Sequence, residues 1–221
     1  TIRTTQEVIM FEFVSVFVMG AVISGGLIIA IGSQNAFLLK TGLTNNHPFA
    51  AATVCFVGDI LLIGAGVFGV GALFSIESIW GQMLSLAGAI FLIWYGSNAL
   101  KAAIKGESRL SVDENESKRT SLKSALLMAF AMTFLNPHVY IDTVVLVGGV
   151  TAGLEQAYRP WFVAGALCAS ATWFYTLVFV AKKLANKLNK PKTWRIINAL
   201  ISAVMYLIAG RLLVDVIPYW F

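Results

Sequence analysis

Charge is what this chain has least of. Only 12% of its 221 residues are Asp, Glu, Lys or Arg, about half the share of an ordinary soluble domain. Histidine and cysteine are nearly absent, at two residues each. Cys55 and Cys168 lie in separate apolar segments with no partner spacing, so they read as small hydrophobes and exclude a disulfide framework. With so few ligating side chains, no metal site is expected. No Ser-His-Asp grouping and no cofactor fingerprint is present either, so no cofactor is expected and the chain does not read as an enzyme. The formal net charge of +5 would suit a nucleic-acid partner if the bases were clustered on one face. They lie instead almost wholly in loops between apolar runs, which argues against that class.

What fills the chain is apolar. Hydrophobic residues make up 58% of it, in runs approaching the roughly 20 residues that span a bilayer. No soluble domain fits beside them. The pattern predicts an all-α polytopic membrane protein with helices over 11–31 continuing to 40, 48–74, 78–104, 121–135 continuing to 152, 160–185 and 194–217. Pro48 and Pro160 mark two helix starts, Ser78 can cap a third, and Lys190-Pro191 separates the last two helices. Residues 1–9 carry no basic n-region and no small-residue cleavage site, so no signal peptide is expected and Met10 is the expected native start.

The first and fourth segments are each about 30 residues long, too long for one straight span at 1.5 Å per residue. Each contains a polar, helix-breaking cluster. In the first it is Gly32-Ser33-Gln34-Asn35, and in the second Asn136-Pro137-His138. Broken backbone is tolerated at membrane depth only where protein or a wet cavity satisfies it. Paired broken helices in corresponding positions point to a transporter's binding site. The expected plan is six transmembrane helices as 3+3 inverted repeats, with helices one and four broken. Residues 1–104 form the first repeat, 105–120 a charged cytoplasmic linker, and 121–221 the second repeat. Thirteen of the 16 basic residues fall in the links after helices one, three and five or in the helix ends that flank them. The positive-inside rule then puts those links in the cytoplasm and both termini outside. Trp80, Tyr158, Trp161, Tyr219 and Trp220 form the expected outer aromatic belt.

Two acids lie deep in this apolar frame. Asp59 is about 11 residues, hence about 16 Å, into its helix, and Asp142 follows the second break. Intramembrane acids are costly and face a cavity or a partner. No Lys or Arg lies inside a neighbouring span, so the expected partner is a cation that comes and goes, with backbone N–H groups as the structural alternative. Gln34, Asn35 and Asn136 supply amides suited to an amino acid's zwitterionic head, or simply satisfy the broken backbone. His138 is a candidate proton relay or half-helix cap. Asp215 reads as interfacial. The glycines at 64, 66, 69 and 71 read as a packing surface, since no Lys-Ser/Thr follows for a phosphate loop. Trp94-Tyr95 and Trp173-Tyr175 are more often core filler than a cation platform.

Five stretches carry a resemblance: IGSQNAFLLKTGL at 31–43, GDILLIGAGVFGVGAL at 58–73, AGAIFLIWYG at 87–96, TFLNPHVYIDTVVLVGG at 133–149 and RIINALISAVMYLIA at 195–209. Through them the chain resembles the lysine exporter (LysE) family, nearest its basic amino acid branch. Members show Gly-Pro-Gln-Asn at the first motif, and this chain has Ser33 in place of the proline, so a differently shaped break is expected. The resemblance implies secondary active export of lysine or arginine across a bacterial cytoplasmic (inner) membrane. It carries over onto Gln34, Asn35, Asp59, Asn136, Pro137 and Asp142. Exporting a cation from a negative interior costs about 2.3 kcal/mol per 100 mV, so coupling is needed. Proton antiport is the expectation, with Asp59 or Asp142 binding either cargo or proton and the second half rocking about a site between helices one, two and four. The alternatives keep the fold with a neutral amino acid or a metal cation as cargo, or make the protein a passive channel or a scaffold. Expected partners are L-lysine or L-arginine, protons and the lipid bilayer. Self-association is left open.

Overall fold

The computed structural model describes residues 2–29, 32–68, 79–105, 121–185 and 191–219. Among them every regular element is helical: α1 (Ile2–Ile29), α2 (Ser33–Leu43), α3 (Pro48–Val67), α4 (Ile79–Lys105), α5 (Leu122–Phe134), α6 (Pro137–Tyr140), a π-helical turn (Ile141–Leu146), α7 (Val147–Ala152), α8 (Arg159–Leu184), α9 (Pro191–Val216) and a terminal 3₁₀ turn (Ile217–Tyr219). Five of these helices, α1, α3, α4, α8 and α9, are long and apolar enough to cross a bilayer. The chain is therefore a multi-pass membrane protein. α5 is a shorter apolar helix, continued beyond the Leu135-Asn136 interruption by α6, the π-helical turn and α7.

Local chemistry explains the boundaries. Pro48 and Pro191 open α3 and α9, where proline's missing N–H costs nothing and its φ is already helical. For that reason α9 starts three residues ahead of the expected 194. α1 also starts early, because no glycine or proline interrupts the residues before position 11. The Ser121 side chain accepts a hydrogen bond from the Ser124 N–H at 3.2 Å and caps α5. α2, α4 and α8 carry Lys40, Lys105 and Lys182-Lys183 in their last turns, where a cation complements the helix dipole. Between α2 and α3 the chain turns through Asn45 and His47, both at positive φ. The expected cap at Ser78, the end of the second span with Gly69 and Gly71, the linker residues 106–120 and Trp220 lie outside the described residues. So do the side chains of Trp80, Pro137, His138, Asp142 and Tyr219, of which only the backbone is described.

The chain falls into two compact units. The first holds Thr1–Ala30, Phe56–Ser75 and His138–Trp173, and the second Ile31–Cys55, Ile76–Pro137 and Phe174–Phe221. The first unit is built around Ile63 and Val67 of α3, Val147 of α7, and Phe162 and Ala166 of α8, with Val16, Met19, Ile23 and Leu27 of α1 packed against them. Because lipid is as apolar as these side chains, close packing rather than water exclusion must hold such helices together. Glycine supplies the closeness. A Cβ on Gly165 would lie 1.9 Å from the Phe17 carbonyl oxygen, one on Gly20 would lie 2.2 Å from that of Phe162, and one on Gly66 would lie 2.5 Å from that of Thr143. Arg159 donates to the carbonyl of Val67 at 3.4 Å and to that of Leu154 at 3.2 Å, satisfying the end of α3. Phe13 lies against Tyr158 and Trp161 with ring centroids 5.4 and 5.2 Å apart. The Tyr158 hydroxyl donates to Glu12, and that bond, with the charge behind it, holds the phenol pKa above its ordinary value.

In the second unit α4 packs extensively on α9. A Cβ on Gly96 would come within 3.0 Å of the Met205 Cβ, and Ser97 and Tyr206 share a hydrogen bond of 2.7 Å. Leu43, Ala181 and Trp194 join α2, α8 and α9 in a smaller core.

The glycine contacts give a direct expectation. Gly165→Ala must displace backbone and should lower stability by about 1–3 kcal/mol. Gly26→Ala, with nothing within 4 Å of the added carbon, should stay within about 0.5 kcal/mol of the parent. Unfolding melts of the two variants in detergent micelles check the contrast.

Candidate functional site

The break between α1 and α2 is visible from Gly32 onward. Gly32 is extended (φ −114°, ψ 179°) and offers no side-chain cap, and the first intrahelical bond of α2 runs from the Ala36 N–H to the Gly32 carbonyl at 3.1 Å. The positive end of the α2 dipole therefore lies at Ser33, Gln34 and Asn35. The second break follows α5, where Leu135 closes the helix with φ −90° and ψ 4° and Asn136 precedes α6.

Within the second unit these two breaks hold each other. The Asn136 side-chain amide donates to the Ser33 hydroxyl at 3.1 Å, and both residues are buried. The Gln34 amide donates to the Thr133 hydroxyl at 3.2 Å. Thr133 in turn can donate to the Ala129 carbonyl at 2.9 Å or to the Cys55 sulfur at 3.6 Å. The sequence separations are 103 and 99 residues, so each bond ties the first half of the chain to the second. Ser33, which stands where the resemblance expects a proline, is one of the two acceptors. Asn35 lies in the same first turn of α2 and is partly buried.

Asp59 belongs to the first unit. It lies on α3, which starts at Pro48, and is 2% exposed. Its carboxylate accepts a bond of 2.6 Å from the Ser170 hydroxyl of α8, a residue 0% exposed. Among the described residues, the donor to this acid is a neutral hydroxyl and no cation is bonded to it. Two turns further along α3, Gly66 meets the backbone of Thr143 and Val144. Those residues belong to the π-helical turn, which also carries Asp142. Single π-turns inside α-helices are rare and recur at functional sites. His138 lies on α6, just before that turn.

Sequence reasoning singled out both breaks and both acids but passed over Thr133, Ser170 and the π-helical turn. Hydroxyl residues in apolar helices ordinarily bond the carbonyl four residues back, as Thr53 and Thr151 do here. Nothing in the sequence separates these from Thr133, which bonds back and also takes the cross-break bond. Of the aromatic pairs, Trp94 is exposed, and Tyr175 bonds Thr53 at 2.9 Å. Tyr95 is buried between Phe37 and Phe91.

The model of the LysE type translocator matches residues 26–216, a stretch that contains both breaks, both acids and every bond just described. The chain belongs to that family. Among curated proteins it is 39% identical to the arginine exporter protein ArgO of Yersinia enterocolitica, over 90% of this chain and 96% of the relative. It is 39% identical to the ArgO of Photorhabdus laumondii, over 90% and 95%. It is 38% identical to a putative amino-acid transporter, YggA, of Aeromonas salmonicida, over 84% and 89%. No solved structure gives a significant match. Family membership places this translocator among transporters rather than enzymes.

The cross-break bonds make a prediction for the translocator. Thr133→Val keeps the shape but strands the Gln34 amide, and should cost about 1 kcal/mol, whereas Thr133→Ser should retain nearly all of the parent stability. Chemical unfolding of both variants in micelles measures the difference.

Proposed function

We propose that this translocator exports arginine and related basic amino acids from the bacterial cytoplasm by exchange for protons. The observation that carries the reading is Asp59, a carboxyl group buried inside a membrane helix and bonded, among the described residues, to a neutral hydroxyl rather than a cation. The names of its relatives, arginine exporters matched over nearly their whole length, agree with it. A deep acid needs a positive partner. A guanidinium or ammonium side chain and a proton are alternative partners that cannot be held together.

In this reading Asp59 and Asp142 alternate between cargo and proton, with His138 relaying protons. Gln34, Asn35 and Asn136 contact the zwitterionic head, and the α2 N-terminus favours its carboxylate. Gly32, Ser33 and Pro137 keep the helices open for those contacts. The supporting plan is six spans in two inverted three-helix repeats, residues 1–104 and 121–221, joined by the linker 105–120 and set in the inner membrane with the basic loops inside.

Charge balance gives the mechanism its test. An exported arginine carries one positive charge outward and an entering proton carries one inward. One-for-one exchange therefore moves no net charge, and the membrane potential drops out of the driving force. In proteoliposomes, an imposed pH gradient should accelerate radiolabelled arginine efflux while a clamped potassium diffusion potential leaves it unchanged. Asp59→Asn and Asp142→Asn should each lower gradient-driven efflux at least about tenfold, the cost of one lost ionic contact of roughly 1.4 kcal/mol. Normal efflux from both variants, or rates blind to the gradient, would refute the exchange.

A further inference from the structure

One contact in the second unit has no part in the proposed exchange. The Lys40 ammonium lies over the Tyr95 ring, 5.3 Å from its centroid, within the distance at which a cation is attracted to an aromatic face. The ring is held edge-on by Phe37 at 6.3 Å and tilted against Phe91 at 6.5 Å. Tyr95 is only 9% exposed and Phe37 5%. This is a largely dehydrated aromatic recess, the setting in which cation–π attraction is strongest.

Its place along α2 gives the recess a meaning. Ser33, Phe37 and Lys40 follow one another at i, i+4 and i+7, so they share one face of the helix. Ser33 is bonded to Asn136 at the second break, Phe37 walls the recess, and Lys40 fills it in the last turn of α2. At 1.5 Å per residue the ammonium-bearing turn is about 10 Å beyond the break. A tethered alkylammonium there is chemically the side chain of a basic amino acid.

We propose that the Tyr95 ring, with Phe37 and Phe91 around it, is a cation-binding station for the guanidinium or ammonium group of the cargo on the cytoplasmic approach to the breaks, and that Lys40 is its built-in competitor. The cargo must displace Lys40 to dock, so the station admits cations and is closed to neutral side chains. The identity of that cargo rests on the exporter reading above, whereas the station itself does not.

Equilibrium binding of radiolabelled arginine to the purified full-length protein tests the station. Citrulline, the uncharged isostere, is measured in parallel. Lys40→Met keeps the stem and removes the charge, and should tighten arginine binding about tenfold, the size of one desolvated cation–π contact, with citrulline unaffected. Tyr95→Phe retains the ring and should stay within about twofold of the parent, while Tyr95→Leu should weaken arginine binding and abolish the gain when combined with Lys40→Met. Unchanged arginine affinity in Lys40→Met, or an equal gain for citrulline, overturns the proposal. Parent protein that binds arginine but drives no efflux counts against the exporter reading alone. Efflux that is normal in the parent, with Lys40→Met binding like it, counts against the station alone.

Discussion

Lipid offers nothing to a bare amide, and that constraint shapes this chain more than any other. Two of its apolar segments stop being helical in mid-course, and each stop exposes backbone ends and polar side chains that hydrocarbon cannot solvate. The Asn136–Ser33 and Gln34–Thr133 bonds answer that problem inside one compact unit. Each break provides the other's polar partners. Segments a hundred residues apart are thereby joined.

The carboxylate of Asp59 is the counterpart in the other unit. Among the described residues, the neutral Ser170 hydroxyl holds it in place. The packing around it is tight for a different reason. Gly20, Gly66 and Gly165 let backbones approach so closely that no side chain fits between them, which is how helices adhere where no hydrophobic effect drives them together. The π-helical turn that meets Gly66 carries Asp142.

Much of this was legible in the residues. The helix start at Pro48 follows from proline's own geometry, whereas Pro191 reads as a separator in the sequence and in the structure opens α9; polar clusters inside apolar runs announce both breaks. The deep acids are conspicuous because their burial is expensive. Other features were hidden, each for a definable reason. IDTVVL at 141–146 has no composition that distinguishes a π-turn from an α-turn, since the difference lies in which carbonyl each N–H selects. Thr133 and Ser170 are two hydroxyls among many, and only their neighbours reveal that they reach across. Gly64 and Gly66 look equivalent in the sequence, yet nothing lies within 4 Å of a carbon added at Gly64. A glycine's role is set by what faces it. The serine at position 33 departs from the proline of the resemblance, and its hydroxyl acceptor became apparent only with Asn136 beside it.

A double-mutant cycle between Ser33 and Asn136 tests most directly the claim that the two breaks hold each other. Stability of the parent, Ser33→Ala, Asn136→Ala and the double variant would be measured by reversible unfolding in micelles. A direct buried bond predicts a coupling energy of about 0.5–1.5 kcal/mol. Effects that add to within about 0.3 kcal/mol would mean that the breaks are satisfied separately, and would contradict the account.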